Sequence, residues 1–226
     1  GKKIDVAFCP ERILQGKALI ELQNSPQIIS AFSKKELKKV EAIFKKITSK
    51  KVIKVEPIEA ELAKLFSNAW RYISFAVANQ FYMIAANRKL NYKRIHTAMT
   101  KDYPRNNGLP LPGFAAGPCL FKDTMQLSSF AHNNFFLGHS AMLINEGLPA
   151  FIINQLKLSH NLKNTKIGIL GMAFKANNDD PRDSLAYKLR KIALTECDNV
   201  FCHDVYIKDP NFHPMETVIK ESDIII

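Results

Sequence analysis

The chain has 226 residues, of which 46% are hydrophobic and 23% charged, an ordinary globular balance and ample material for a core. Its 32 lysines and arginines against 21 acids give a formal net charge of +11. No stretch approaches the roughly twenty consecutive apolar residues of a membrane span, and no basic-then-apolar amino terminus marks export. The expectation is therefore a cytoplasmic protein with no membrane partner.

Lys3 to Phe8 reads as a short buried strand that proline breaks at Cys9-Pro10-Glu11-Arg12. Asn24-Ser25-Pro26 marks a turn. Between Lys34 and Ser49, Leu37, Val40, Phe44 and Ile47 recur at helical spacing with lysines between them. Much of the positive charge lies here. A solvated face of an amphipathic helix accounts for it, and no aromatic platform or zinc-finger pattern points to nucleic acid. Val52 to Glu56 reads as a second strand.

From Ile58 to Leu90 the pattern is helical throughout, with Leu62, Leu65, Phe66, Ala69, Trp70, Ile73 and Val77 three or four apart. Such a length suggests a central spine or an oligomer contact. Tyr92 to Thr100 continues as a second helix. Tyr103 to Cys119 is rich in proline and glycine and predicts a long loop, which is either functional or disordered. Helices follow over Lys122–His132 and Leu137–Asn161, the latter with a kink expected at Pro149. The style then changes. Lys166–Leu170 is an apolar strand, Ser184 opens a helix, Val200–His203 is a strand, Glu216–Ser222 a helix and Ile224–Ile226 a strand. This alternation predicts a parallel α/β sheet from about residue 164, and its last strand reads as cut short. The fold class expected is mixed: a mainly α-helical central domain followed by a truncated α/β, Rossmann-like domain.

Cys9, Cys119, Cys197 and Cys202 form no CxxC pair, and no cluster has metal-ligand spacing, so free thiols in a reducing compartment and no metal are expected. The sharpest chemical feature is Gly117-Pro-Cys-Leu-Phe-Lys-Asp-Thr124. A cysteine at the end of a loop and the start of a helix meets partial positive charge, which favours the thiolate. Lys122 adds a cation and Asp123 a group that can orient water. A buried cysteine capping an ordinary helix fits the same pattern. Lys64 and Asn68, four apart, share a helix face and can donate to an oxyanion, or form a plain polar stripe. Glu11 follows a strand end. Lys175 and Arg182 flank an acidic loop beyond another strand, where ligands of parallel sheets bind. Two cations there suit a diphosphate, or local pairing with Asp179 and Asp180. His132 and His139 read as structural. No Gly-x-Gly-x-x-Gly fingerprint is present.

Four segments in order resemble the nucleotide-sugar dehydrogenase family, the group that contains UDP-glucose dehydrogenase. They are Cys9-Pro-Glu-Arg-Ile-Leu-Gln-Gly-Lys-Ala18, Glu61-Leu-Ala-Lys-Leu-Phe-Ser-Asn68, Gly117-Pro-Cys-Leu-Phe-Lys-Asp-Thr124 and Gly171 to Ser184. The resemblance implies three parts: residues 1–56 as the tail of an amino-terminal Rossmann domain, 57–162 as the helical domain that dimerises and carries the cysteine, and 163–226 as a partial UDP-sugar-binding α/β domain. It implies NAD-dependent, four-electron oxidation of a UDP-hexose at C6 to the uronic acid, through a thiohemiacetal and a thioester on Cys119. Surface-polysaccharide synthesis is the family-level setting. By the same resemblance Lys64 stabilises the oxyanion, Asn68 and Asp123 bind water, and Glu11 assists base catalysis. Lys175, Phe114, Gly117 and Arg105 face substrate, and Lys122 and Arg182 approach NAD. A homodimer through the long helix is implied too. Lacking the main cofactor domain, the chain alone is expected to be inactive. The competing reading is a non-catalytic module for dimerisation and nucleotide-sugar binding. Gln15 stands where many UDP-glucose enzymes have a second glutamate, and Ala116 where glycine is common. Cys-Pro-Glu-Arg is similar to the UDP-N-acetylhexosamine branch and Lys-Asp-Thr to the UDP-glucose branch, so the sugar stays open.

Overall fold

The computed structural model describes residues 4–226 and divides them into two compact units, residues up to Asn68 and residues 69–226. The division falls within one helix.

In the first unit a three-stranded sheet has β2 (Gln27–Ala31) at its centre. β1 (Ala7–Phe8) pairs antiparallel with it and β3 (Val52–Lys54) parallel. The helix α1 (Ala18–Asn24) leads into β2, and α2 (Lys34–Phe44) makes the crossover to β3. β2 and α1 have no clear signature in the sequence. β2 is a five-residue run without alternation, yet Ile28, Ile29 and Ser30 are all buried. Ser30 is accommodated because its hydroxyl donates to the Phe8 carbonyl at 2.7 Å.

The expected strand at Lys3 to Phe8 shrinks to two residues. Lys3 lies outside the described residues, and Ile4 to Val6 are exposed and lie before the strand. They are tied to α2 instead, since Val6 N–H donates to Glu36 and Asp5 pairs with Lys39. The lysine-rich helix also stops short of Ser49. Thr48 is buried and its hydroxyl donates to the carbonyls of Gln23 and Ser25, while Ser49 N–H donates to Gln23. Those bonds need a chain that has left the helix. The start of α2 is fixed by Ser33, whose hydroxyl accepts the Glu36 N–H.

α3 (Pro57–Asn87) begins in the first unit and ends in the second. The second unit continues with α4 (Tyr92–Thr100), α5 (Leu120–Phe130) and α6 (Phe136–Lys157). α6 continues through Pro149, which removes one hydrogen-bond donor without ending the helix. By length and composition α6 could cross a membrane. It has this hydropathy although the sequence holds no long purely apolar run, and it buries Ala141, Asn145, Leu148 and Ile153 inside the unit.

The chain then forms β4 (Lys166–Leu170), α7 (Leu185–Glu196), β5 (Asn199–His203), α8 (Met215–Glu221) and β6 (Ile224–Ile225). The sheet order is β5-β4-β6, all parallel, as the strand–helix alternation predicts. Its core joins Ile167, Ile169 and Met172 to Leu189 and Ala193 of α7 and to Ile153 of α6. A β-carbon on Gly168 would lie 2.6 Å from Ser222 Oγ and 2.8 Å from Val218, so glycine lets the end of α8 approach β4. The observed fold is mixed: after the small sheet of the first unit the chain is helical and then α/β, in agreement with the fold class expected.

Candidate functional site

The loop from Tyr103 to Cys119 is shaped rather than extended. It holds one short 3-10 turn, Pro104–Asn106, and buries Ala115 among Tyr72, Ala76, Leu120 and Ala141. It ends at Cys119, the exposed residue immediately before α5. The Cys119 carbonyl accepts the Asp123 N–H at 2.9 Å, closing the first helical turn. Asp123 is 3% exposed, one turn beyond the cysteine, and its carboxylate lies 3.4 Å from the exposed ammonium of Lys122. Thr124 is buried and donates to the Leu120 carbonyl at 2.7 Å. Burial pushes each of the thiols of Cys9, Cys197 and Cys202 up, toward the protonated form.

The β4–α7 loop comes against this cysteine loop. Gly117 has φ +98°, and its N–H donates to the Asp183 carbonyl at 3.3 Å. The Phe174 ring lies over it so closely that a β-carbon there would meet Cδ2 at 2.5 Å. Arg182 grips Asp180 with Nε and an Nη, at 2.6 to 3.1 Å, so the local pairing expected as one alternative is what the chain adopts. The hydrogen bond and charge of Asp180, then the nearby Cys119 and Asp183, hold the guanidinium above its ordinary pKa. The Lys175 ammonium lies 5.7 Å from the centre of the Phe174 ring. Phe114 is half-buried and packs against the α/β core. Arg105 is exposed in the 3-10 turn. The second unit thus brings Gly117, Cys119, Lys122, Asp123 and Arg182 into one neighbourhood.

In the first unit the Lys64 ammonium lies 3.9 Å from a Glu11 carboxylate oxygen, both partly exposed. The other Glu11 oxygen accepts the Ile13 N–H. A pair so long and solvated adds little stability, and its value is to hold two ionisable groups near each other. Asn68 is half-buried one turn after Lys64, and Gln15 is exposed. His139 Nε2 lies 2.9 Å from the buried Ser128 hydroxyl. Among the described residues no three His, Cys, Asp or Glu side chains gather as a metal site.

One organising residue carries no signal in the sequence. Asp204, just after β5, accepts four backbone N–H groups: Met172 at 2.7 Å, Ala173 at 3.0 Å, Tyr206 at 2.7 Å and Ile207 at 2.9 Å. Burial raises its pKa, but the four donors outweigh burial and hold it below the ordinary carboxylate value. It ties the start of the β4–α7 loop to the end of the neighbouring strand. Only the pairing of β4 with β5 brings those donors together.

Residues 58–146 match the UDP-glucose/GDP-mannose dehydrogenase family, central domain. The whole chain is 30% identical to the UDP-N-acetyl-D-mannosamine dehydrogenase of Methanocaldococcus jannaschii, over 53% of that protein. A solved UDP-D-ManNAc dehydrogenase structure from Pyrococcus horikoshii superposes with a TM-score of 0.86 at 31% identity, covering 98% of this chain and 54% of that one. The UDP-N-acetyl-mannosamine dehydrogenase Cap5O of Staphylococcus aureus gives 0.84 at 25% identity, with 98% and 52% covered. The chain spans about half the length of the relatives it matches.

Proposed function

We propose, because the chain belongs to the UDP-glucose/GDP-mannose dehydrogenase family, that it supplies the covalent nucleophile of an NAD-dependent oxidation of a UDP-hexose at C6. The observation that carries this reading is Cys119: an exposed thiol at a helix start, one turn from the buried Asp123, in a chain whose other thiols are buried or half-buried. The relatives' names and the Cys9-Pro-Glu-Arg12 segment together favour a UDP-N-acetylhexosamine, UDP-N-acetyl-mannosamine first, over UDP-glucose.

In this reading the Cys119 sulfur adds to the C6 aldehyde, forming a C–S bond, and the carbonyl oxygen becomes a hydroxyl on a thiohemiacetal. After that carbon is oxidised to the thioester, water attacks its carbonyl and the C–S bond breaks. The products are the carboxylate and the free cysteine. Lys64 donates to the developing oxyanion, Asn68 and Asp123 orient water, and Glu11 takes a proton. Lys175, Phe114, Gly117 and Arg105 are assigned to the sugar nucleotide. The donor set fits an anionic cofactor, since Lys122 and Arg182 both have side chains 67% exposed on the elements framing Cys119. NAD would supply the hydride acceptor twice, once as the C6 alcohol becomes the aldehyde and once as the thiohemiacetal becomes the thioester. The three-part division at residues 56 and 162 belongs to this proposal. So do a homodimer through α3 and a place in the reducing cytoplasm, which suits free thiols.

The test is NADH formation from UDP-sugars by the full protein. Cys119→Ser is expected to lower turnover by roughly three orders of magnitude. Undiminished turnover in that variant would remove Cys119 as the nucleophile, whereas no NADH formation by the unaltered full protein would leave a dimerisation and sugar-nucleotide-binding module.

A further inference from the structure

The second unit holds two asparagines at 0% exposure, Asn79 of α3 and Asn145 of α6. Their amides are bonded to each other, Asn79 Nδ2 donating to Asn145 Oδ1 at 2.9 Å. Each then does something different. Asn145 Nδ2 donates to the Tyr72 carbonyl at 3.0 Å, so it ties α6 to α3. Asn79 reads the backbone of the loop: its Oδ1 accepts the Gly113 N–H at 2.8 Å, and its Nδ2 donates to the Gly113 carbonyl at 3.0 Å. A side-chain amide presents a donor and an acceptor side by side, so it can satisfy the N–H and the carbonyl of a single residue at once. Polar groups this deep are costly unless paired, and an apolar residue would serve a plain helix contact at lower cost.

From Gly113 the loop has little freedom. Two residues on, Ala115 is buried among Tyr72, Ala76 and Ala141. Two further on, Gly117 N–H is held by the Asp183 carbonyl, and two beyond that stands Cys119. We infer that Asn79 is a positioning residue for the reactive cysteine: its amide pins the loop at Gly113 and so sets where Cys119 stands. Asn145 bonds the Asn79 amide and fixes the helix pair, its own hydrogen bonds going to Asn79 and to the Tyr72 carbonyl. This inference rests on the reading of Cys119 as the nucleophile, while its geometric part can be measured without activity.

The experiment compares Asn79→Ala with Asn145→Ala in the full protein. Three quantities are read: hydrogen exchange at the Gly113 amide, the rate of Cys119 alkylation by iodoacetamide relative to Cys9, and kcat and KM for UDP-sugar oxidation. Asn79→Ala is expected to speed Gly113 exchange about tenfold, the size of one lost buried hydrogen bond. It should change the Cys119 to Cys9 ratio, and lower kcat about tenfold with KM within about twofold. Asn145→Ala, at a similar loss of thermal stability, should leave the alkylation ratio and kcat within about twofold. Should Asn79→Ala not fold, Asn79→Asp keeps the volume and the acceptor for Gly113 N–H but loses the donor to its carbonyl. It is expected to show the same changes at reduced size. Equal effects from the two positions, or an Asn79 variant with unchanged Gly113 exchange and alkylation ratio, would overturn the inference. If Cys119→Ser retains turnover while the exchange and alkylation differences persist, the clamp stands and only the role of the cysteine falls.

Discussion

Replacing Gly117 by alanine tests how the cysteine loop is fitted to the β4–α7 loop. Gly117 sits at φ +98°, where an L side chain costs about 1–3 kcal/mol. The new β-carbon would also stand 2.5 Å from Phe174 Cδ2, 2.8 Å from Cε2 and 3.0 Å from Cγ. Because Cγ is among the contacts, the ring cannot relieve the clash by swinging its far edge alone. Overpacking of this kind adds about 1–3 kcal/mol. The half-buried Phe174 can give partway, so the expected loss is about 3 kcal/mol. Urea unfolding at an unchanged m-value measures it. Phe174→Ala removes the clash but not the backbone strain, so the double variant should show a coupling of about 1–2 kcal/mol. A Gly117→Ala protein within about 0.5 kcal/mol of the parent, or a strictly additive cycle, would refute the close fit.

Asp204→Asn replaces an acceptor of four N–H groups by a side chain with one acceptor oxygen and two donors. A loss of about 1–3 kcal/mol at neutral pH is expected by chemical denaturation. The folded-state pKa of Asp204 lies below its unfolded value, so its contribution is present above about pH 4 and is lost as pH falls through the folded pKa. The variant should therefore lose less stability than the parent in that acid range. α3 leaves Phe66, Trp70, Val77, Phe81 and Ile84 exposed at spacings of three, four and seven. Trp70, at 70% exposure, is the largest of them, and Trp70→Glu should weaken self-association about tenfold or more by sedimentation. An unchanged association constant would remove α3 as the contact of the proposed homodimer.

Periodicity and punctuation fixed the elements that are long or bounded by strong signals. α3, α4, β4 and α7 lie where helical spacing, Ser184 and the apolar Lys166–Leu170 run place them. β2 escaped because five residues with a serine among them carry no period, and its place is set by pairing with strands on both sides. The strand expected at residues 3–8 is shorter for the converse reason: Ala7 and Phe8 pair with β2, but Asp5 and Val6 bond to side chains of α2.

Cys119, Lys122 and Asp123 were legible because they share one helix start, and Lys64 and Asn68 because they share one helix face. Sequence could name these groups as chemistry-bearing. It could not show that Arg182 spends its fork on Asp180, that Asp204 gathers donors from two strand ends, or that Asn79 binds the backbone of a loop 34 residues away. Each of those depends on groups distant in the chain meeting within about 3 Å, which residue type and spacing do not encode. The residue types and local order came from the sequence; which groups are buried and which are paired was decided by packing alone.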